Sequence, residues 1–129
     1  MAGAQQVPSV LVIDDEDYVA DMIASALEIE GYQTYVSYNG RDGLLQARER
    51  HVDLMIIDIM LPYINGIELV GQIRTLEHQR TIPIVLISAG ARPRQQQPLV
   101  SFVPKPFDMD DLLELVARQI DERGAPRDA

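Results

Sequence analysis

Cysteine is absent from the 129 residues, which excludes disulfides, thiolate chemistry and cysteine-based zinc sites at once. Basic residues are scarce: 11 Lys and Arg stand against 20 Asp and Glu, a formal net charge of −9. Phosphate-backbone binding needs clustered Lys and Arg, so direct nucleic-acid binding by this segment is not expected. No apolar run approaches the ~18 residues of a membrane span. The opening Met1-Ala2-Gly3-Ala4-Gln5-Gln6 lacks the basic and apolar regions of a signal peptide. A cytoplasmic protein with no membrane partner is the expectation. Nucleotide-binding fingerprints are missing as well, since neither Gly-x-Gly-x-x-Gly nor Gly-x-x-x-x-Gly-Lys occurs.

What is present reads as an ordinary globule, 47% hydrophobic and 24% charged, of a length that suits one domain. Short apolar runs alternate with amphipathic stretches. Val10–Ile13 predicts a first strand, and Val19–Ile29 a helix with Val19, Met22, Ile23, Ala26 and Leu27 on one face, stopped at Gly31. Thr34–Ser37 predicts a second strand. Asn39 is a candidate cap for a helix over Arg41–Arg50 with Leu44, Leu45 and Ala47 inward. A strand over Leu54–Asp58 follows, then a helix from Asn65-Gly66 over Ile67–Glu77 with Ile67, Val70 and Ile73 apolar. Ile84–Ser88 and Phe102–Val103 predict two more strands. A final helix is capped by Asp108, with Leu112, Leu113, Val116 and Ile120 facing the core. Such alternation implies a doubly wound, five-stranded parallel sheet of the flavodoxin-like class, in the order 2-1-3-4-5. The expected organisation is a tail over 1–8, the domain over 9–122, and a polar tail or truncated linker over 123–129.

The polar residues that end the apolar runs carry the chemistry. The first strand runs into Asp14-Asp15, the third ends on Asp58, the fourth ends on Ser88, and Lys105 follows the fifth. In open α/β sheets ligands bind at the carboxyl ends of the strands. Three carboxylates, a hydroxyl and an ammonium collected there suit a divalent cation and a phosphoryl group. The end of the first strand lets both Asp14 and Asp15 turn toward the rim. Mg²⁺ takes oxygen ligands, usually one or two carboxylates completed by water and phosphate oxygens, so Asp15 and Asp58 are its candidate direct ligands and Asp14 a water-mediated one; Mn²⁺ is the alternative ion.

Asp-Asp after the first strand, Asp58-Ile59-Met60-Leu61-Pro62-Tyr63-Ile64-Asn65-Gly66 after the third, Ser88-Ala89 after the fourth and Lys105-Pro106-Phe107 after the fifth occur in register. Together they resemble the receiver domain of two-component response regulators, over nearly the whole chain. The resemblance implies that Asp58 accepts a phosphoryl group from a sensor histidine kinase, a phosphotransfer protein or a small acyl phosphate. The chain would be a phosphoacceptor rather than a turnover enzyme. It adds the backbone carbonyl of Met60 to the metal ligands; of the three phosphoryl oxygens the cation would then take one, Lys105 another, and the Ser88 hydroxyl with the Ala89 N–H the third. It also implies a cis Lys105-Pro106 bond, and a switch in which Ser88 moves toward the phosphate as Phe102 rotates. An output domain or effector would read that switch, with the domain itself a monomer or weak dimer.

Two features depart from the family. Phe102 stands where Tyr is more usual, so the switch has no hydroxyl. Between Ser88 and Lys105, Pro93 and Pro98 interrupt the place of a fourth helix, and the segment is short by more than a turn of ~3.6 residues, so that helix is expected to be short or missing. The face it would share with the last strand and helix should then support only a weak symmetric dimer. Two other classes remain in view at this point. A haloacid-dehalogenase-like phosphatase would share the sheet and an aspartyl nucleophile, but needs a second Asp where Met60 stands. A pseudo-receiver, never phosphorylated, would use the same fold only to bind proteins. His51 and His78, near helix ends, are expected to be solvated, and Met22, Met55, Met60 and Met109 to fill the core or flank the site.

Overall fold

A computed structural model describes residues 7–90, 92–94 and 96–124, the side chains of residues 123 and 124 excepted. The five strands are β1 (Ser9–Ile13), β2 (Gln33–Ser37), β3 (Leu54–Asp58), β4 (Ile84–Ser88) and β5 (Val100–Pro104). All pair in parallel in the order β2-β1-β3-β4-β5. Four helices accompany them: α1 (Asp17–Ile29), α2 (Gly40–Glu49), α3 (Gly66–Ile73) and α4 (Met109–Gly124). The predicted class and strand order are therefore observed.

β1, β3 and β4 are buried along their whole length because helices cover both faces of the sheet. Alternate residues divide the core. Leu11, Ile13, Met55, Ile57, Ile84 and Leu86 face α2 and α3, whereas Val10, Val12, Leu54, Ile56, Val85 and Ile87 face α1 and α4. No helix forms between β4 and β5 among the described residues, as the two prolines predict. The expected tail began at 123, but α4 continues through Gly124, and residues 1–6 and 125–129 of the expected tails lie outside the described residues.

Two helix faces and one helix end differ from expectation. Leu45 is exposed because Gly43 and Ala47, four residues apart, set the phase of α2, and any side chain at 43 would collide with Ile13. On α1 the small Ala20 and Ala24 turn inward with Ile23 and Leu27, leaving Met22 in solvent. Met60 is likewise exposed, while Met55 is fully buried. α3 ends at Ile73 rather than reaching Glu77. Beyond it Arg74 folds back to donate to the carbonyls of Gln79 (3.0 Å) and Ile82 (2.7 Å), and a 3₁₀ turn over Glu77–Gln79 buries Gln79. His78, exposed as expected, also sets a ring nitrogen 2.9 Å from the Ala47 carbonyl.

Gly66 positions the site. Asn65 caps α3 through a reciprocal pair with Glu68, and the Gly66 N–H donates to the Ile59 carbonyl at 2.8 Å. A Cβ on Gly66 would lie 2.5 Å from the Asp58 carbonyl oxygen and 2.7 Å from the Ile59 Cα, so only glycine lets the helix start this close to the strand end. Gly66→Ala is expected to destabilise the fold by about 1–3 kcal/mol in urea unfolding. Gly71→Ala, in the same helix with nothing within 4 Å of an added Cβ, should stabilise it by about 0.5–1 kcal/mol; equal effects would contradict the packing argument.

Candidate functional site

Three chain segments meet at the carboxyl edge of the sheet. Asp58 is the last residue of β3, paired with Ile87 of β4, and is only 3% exposed. Asp14 follows β1 directly and is fully buried; its N–H donates to the Ser37 carbonyl, and its Oδ1 accepts the N–H of Glu16 at 2.9 Å. Lys105 follows β5. Its N–H donates to the Ser88 carbonyl at 2.8 Å, and its bond to Pro106 is cis, as the resemblance implied.

The Lys105 ammonium donates at 3.0 Å to each of three carboxylates: Asp14 Oδ2, Glu16 Oε1 and Asp58 Oδ2. The other Asp58 oxygen accepts the Met60 N–H at 2.9 Å. Burial pushes the Asp14 carboxyl up, to about 6, against the lowering pull of the Glu16 N–H and of Lys105; the Asp58 charge adds to the rise. Glu16, on the solvent side, is lowered by its bond to Lys105. Burial pulls the Lys105 ammonium down, but its bonds to Asp58, Asp14 and Glu16 together raise it, so it stays charged.

Glu16 was not among the residues singled out from sequence, and it joins Asp14 and Asp58 around the Lys105 ammonium. The chain bends at Asp15 and Glu16, where the Glu16 N–H returns to Asp14 Oδ1, and Glu16 itself has φ −83° and ψ 99°. Asp14 and Glu16 turn to Lys105, and Asp15 turns to solvent instead of joining Asp14 on the same side. Asp15 lines a groove of about 410 Å³ together with Met60, whose N–H bonds to Asp58.

Ser88 ends β4, buried to 1% exposure, and its hydroxyl accepts the Gly90 N–H at 3.0 Å; Ala89 beside it is exposed. Phe102, in β5 opposite Leu86, is half-buried, with the Arg92 guanidinium 5.1 Å above its ring. The acids fit a hard divalent cation. Single oxygens of Asp14, Glu16 and Asp58 all lie within 4.8 Å of one another, the cluster holds no nitrogen or sulfur ligand, and an ammonium already bonds to all three.

Comparison with known proteins agrees with this geometry. Residues 10–117 match the response regulator receiver domain family. The chain is 35% identical over 109 residues to the response regulator ArlR of Staphylococcus saprophyticus, covering 81% of this chain and 48% of that protein. It is 31% identical over 116 residues to the regulatory protein AtoC of Escherichia coli, covering 86% of this chain and 25% of AtoC. The chain thus spans about half the length of ArlR and a quarter of AtoC. Among solved structures, the receiver domain of the hybrid histidine kinase CckA superposes with a TM-score of 0.77 at 32% identity, covering 87% of this chain and 98% of that one. A parallel sheet in the order 2-1-3-4-5, an acidic pocket closed by a lysine, and these relatives place the chain in the response regulator receiver domain family of two-component signalling.

Proposed function

We propose that Asp58 is the phosphoacceptor of this receiver and that Asp14, Asp15, Asp58 and the Met60 carbonyl hold Mg²⁺, with Mn²⁺ as a substitute. The observation that carries the reading is the Lys105 ammonium, bonded at once to Asp58 and Asp14 at a rim assembled from three strand ends. One Asp58 oxygen attacks the phosphorus of a phosphohistidine or acyl phosphate. The P–N or P–O bond of the donor breaks, the leaving group keeps the electron pair, and an aspartyl phosphate forms. The metal, when bound, neutralises charge on the transferring phosphoryl group. Lys105 neutralises a second oxygen as a point charge, and the Met60 N–H holds the Asp58 carboxylate in place for attack. The Ser88 hydroxyl and the Ala89 N–H are assigned the remaining oxygen.

Moving toward that oxygen, Ser88 gives up the Gly90 N–H, and Phe102 rotates in response. With no hydroxyl to place, the ring changes state through burial and its stacking under Arg92. The donor is a sensor histidine kinase or phosphotransfer protein, and the reader an output domain or effector, since ArlR and AtoC are both longer than this chain. Self-phosphorylation of this kind is stoichiometric rather than a turnover reaction. No helix of the described residues is long and apolar enough to cross a membrane.

Incubation with acetyl phosphate and Mg²⁺ should add one phosphoryl mass, and Asp58→Asn should abolish the addition. An unchanged mass in the wild type would favour a protein-binding pseudo-receiver.

The raised Asp14 carboxyl makes the metal-free fold pH-sensitive in a definite sense. Between its ordinary pKa of 3.8 and about 6 the native state keeps a proton the unfolded chain has lost, so this group's contribution falls as pH rises through that window and levels off above it. Asp14→Asn should flatten that fall, raise metal-free stability at neutral pH by on the order of 2 kcal/mol, and lessen the rise in Tm that Mg²⁺ gives the wild type. Asp15→Asn, on an exposed side chain, should leave metal-free stability within about 0.5 kcal/mol but weaken Mg²⁺ binding more than Asp14→Asn does. Thermal unfolding from pH 4 to 8, with and without the ion, checks both variants; a wild-type Tm that climbs through the window for the metal-free protein would contradict the assignment.

Lys105→Ala should leave Mg²⁺ binding intact, because no ligand is removed, yet suppress the spectral or oligomeric change that beryllofluoride induces. A full response in the variant would remove Lys105 from the phosphoryl-binding role.

A further inference from the structure

The two faces of the sheet are unequally covered. One packs against α1 and α4 and the other against α2 and α3; on that second side α3 covers β4, and no described helix follows over β5, which stays half-buried. Leu86 and Phe102, paired across the two strands, and Val100 two residues earlier form the floor of a cavity of about 590 Å³. Ile67 and Val70 of α3 line it as well. Ile67, expected in the core, is 37% exposed, and it lies on this cavity. The lip is the irregular segment after β4, which contributes Arg92 and Arg94.

The charge of this trough is opposite to that of the chain. Acids outnumber bases 20 to 11 overall, yet no Asp or Glu lines the cavity among the described residues. Neither arginine has a carboxylate partner among them, and Arg92 stands over the Phe102 ring instead.

We infer that this trough receives an amphipathic helix from a partner protein, its apolar stripe on Leu86, Val100 and Phe102 and its acidic flank against Arg92 and Arg94. The position is the one that the strand–helix alternation leaves without a helix. A trough between a helix and the last two strands suits a cylinder about 10 Å across. Apolar anchors spaced by three and four residues would lie along its floor. Two unpaired guanidiniums on one lip select carboxylates, each able to accept a bidentate pair. A second copy of the chain fits less well, because it would bring a net charge of −9 against −9. A small anion fits less well too, because the floor is apolar and the charge lies only on the lip. The inference does not depend on phosphorylation, and its test uses the protein without phosphoryl donor.

A display library of helical peptides of about 15 residues, long enough to hold a helix, would be selected against the full chain. The enriched peptides would be mapped by amide and methyl chemical shifts. They are expected to carry Asp or Glu beside an apolar stripe and to shift Val70, Leu86, Val100 and Phe102. Arg92→Glu with Arg94→Glu should weaken them by at least about tenfold, and Ile67→Asp should do the same with the thermal transition of each variant retained. Replacing the acids of a selected peptide with Lys should likewise abolish binding. Peptides without charge bias, shifts confined to other surfaces, or a failure to enrich any groove binder would overturn the inference. A dimer in sedimentation that Ile67→Asp abolishes would assign the trough to a second copy. Saturable dodecanoate binding there without peptide binding would assign it to an anionic amphiphile. Either result would also overturn the partner helix.

Discussion

The bond set around Lys105 is the constraint on which the rest of this molecule depends. Asp14 and Asp58 sit at neighbouring strand ends, essentially without solvent, and two buried carboxylates that close repel each other unless a cation stands between them. The ammonium supplies that cation from a residue 91 positions away from Asp14 and 47 from Asp58. Its reach is fixed by β5, whose register with β4 ends at Ser88 opposite Pro104, and by the bond from the Lys105 N–H to the Ser88 carbonyl. The strand order and the length of β5 therefore act directly on the electrostatics of the acids. The arrangement is a poor source of stability, since burial penalises the charged forms that it collects. It is better understood as a preformed demand for positive charge, met here by a lysine and suited to a hard divalent ion.

Much of this was legible in the sequence because the physics is local. A fully buried parallel strand has to be a short apolar run, and the first polar residue after it stands at the rim, so Asp14, Asp58, Ser88 and Lys105 could be read as neighbours before any pairing was known. Pro93 and Pro98 likewise excluded a helix by backbone chemistry alone. Side-chain direction beyond a strand end was harder to read. Whether Asp15 or Glu16 joins Asp14 depends on how the chain bends after the strand end, and no composition rule fixes that bend. The misread faces of α1 and α2 have a related cause. Hydrophobicity favoured Met22 and Leu45, but close helix–sheet approach selects small residues, and Gly43, Ala20, Ala24 and Ala47 occupy the contacts instead.

The lack of a helix between β4 and β5 among the described residues is the feature that most distinguishes this receiver from the regular alternation. This lack does not open the core, since Leu86 stays buried and Val100 and Phe102 are half-covered by the segment that takes the helix's place. What changes is the character of the surface. A regular helix would pair its own apolar stripe with these residues and present polar groups outward. Here the same residues line a trough under two arginines, in a chain that is otherwise acidic.

The trough and the acidic rim are two ends of one short path. Strand alternation puts Leu86 and Ser88 on the same side of β4, and their partners Phe102 and Pro104 on the same side of β5. Ser88, at the rim, is thus one side-chain step from Leu86 and Phe102 on the floor of the trough. Any displacement of Ser88 toward a phosphoryl oxygen acts on packing that an occupant of the trough also contacts, without an intervening helix to absorb it. Coupling between two sites is reciprocal, so an occupant that prefers one orientation of Phe102 must bias the rim by the same free energy with which the rim biases the occupant. In a receiver with its fourth helix in place, that helix would take up part of this displacement. Here the occupant itself stands in the helix's position, so the strength of the coupling is set by the partner's fit to Phe102 rather than by the fold.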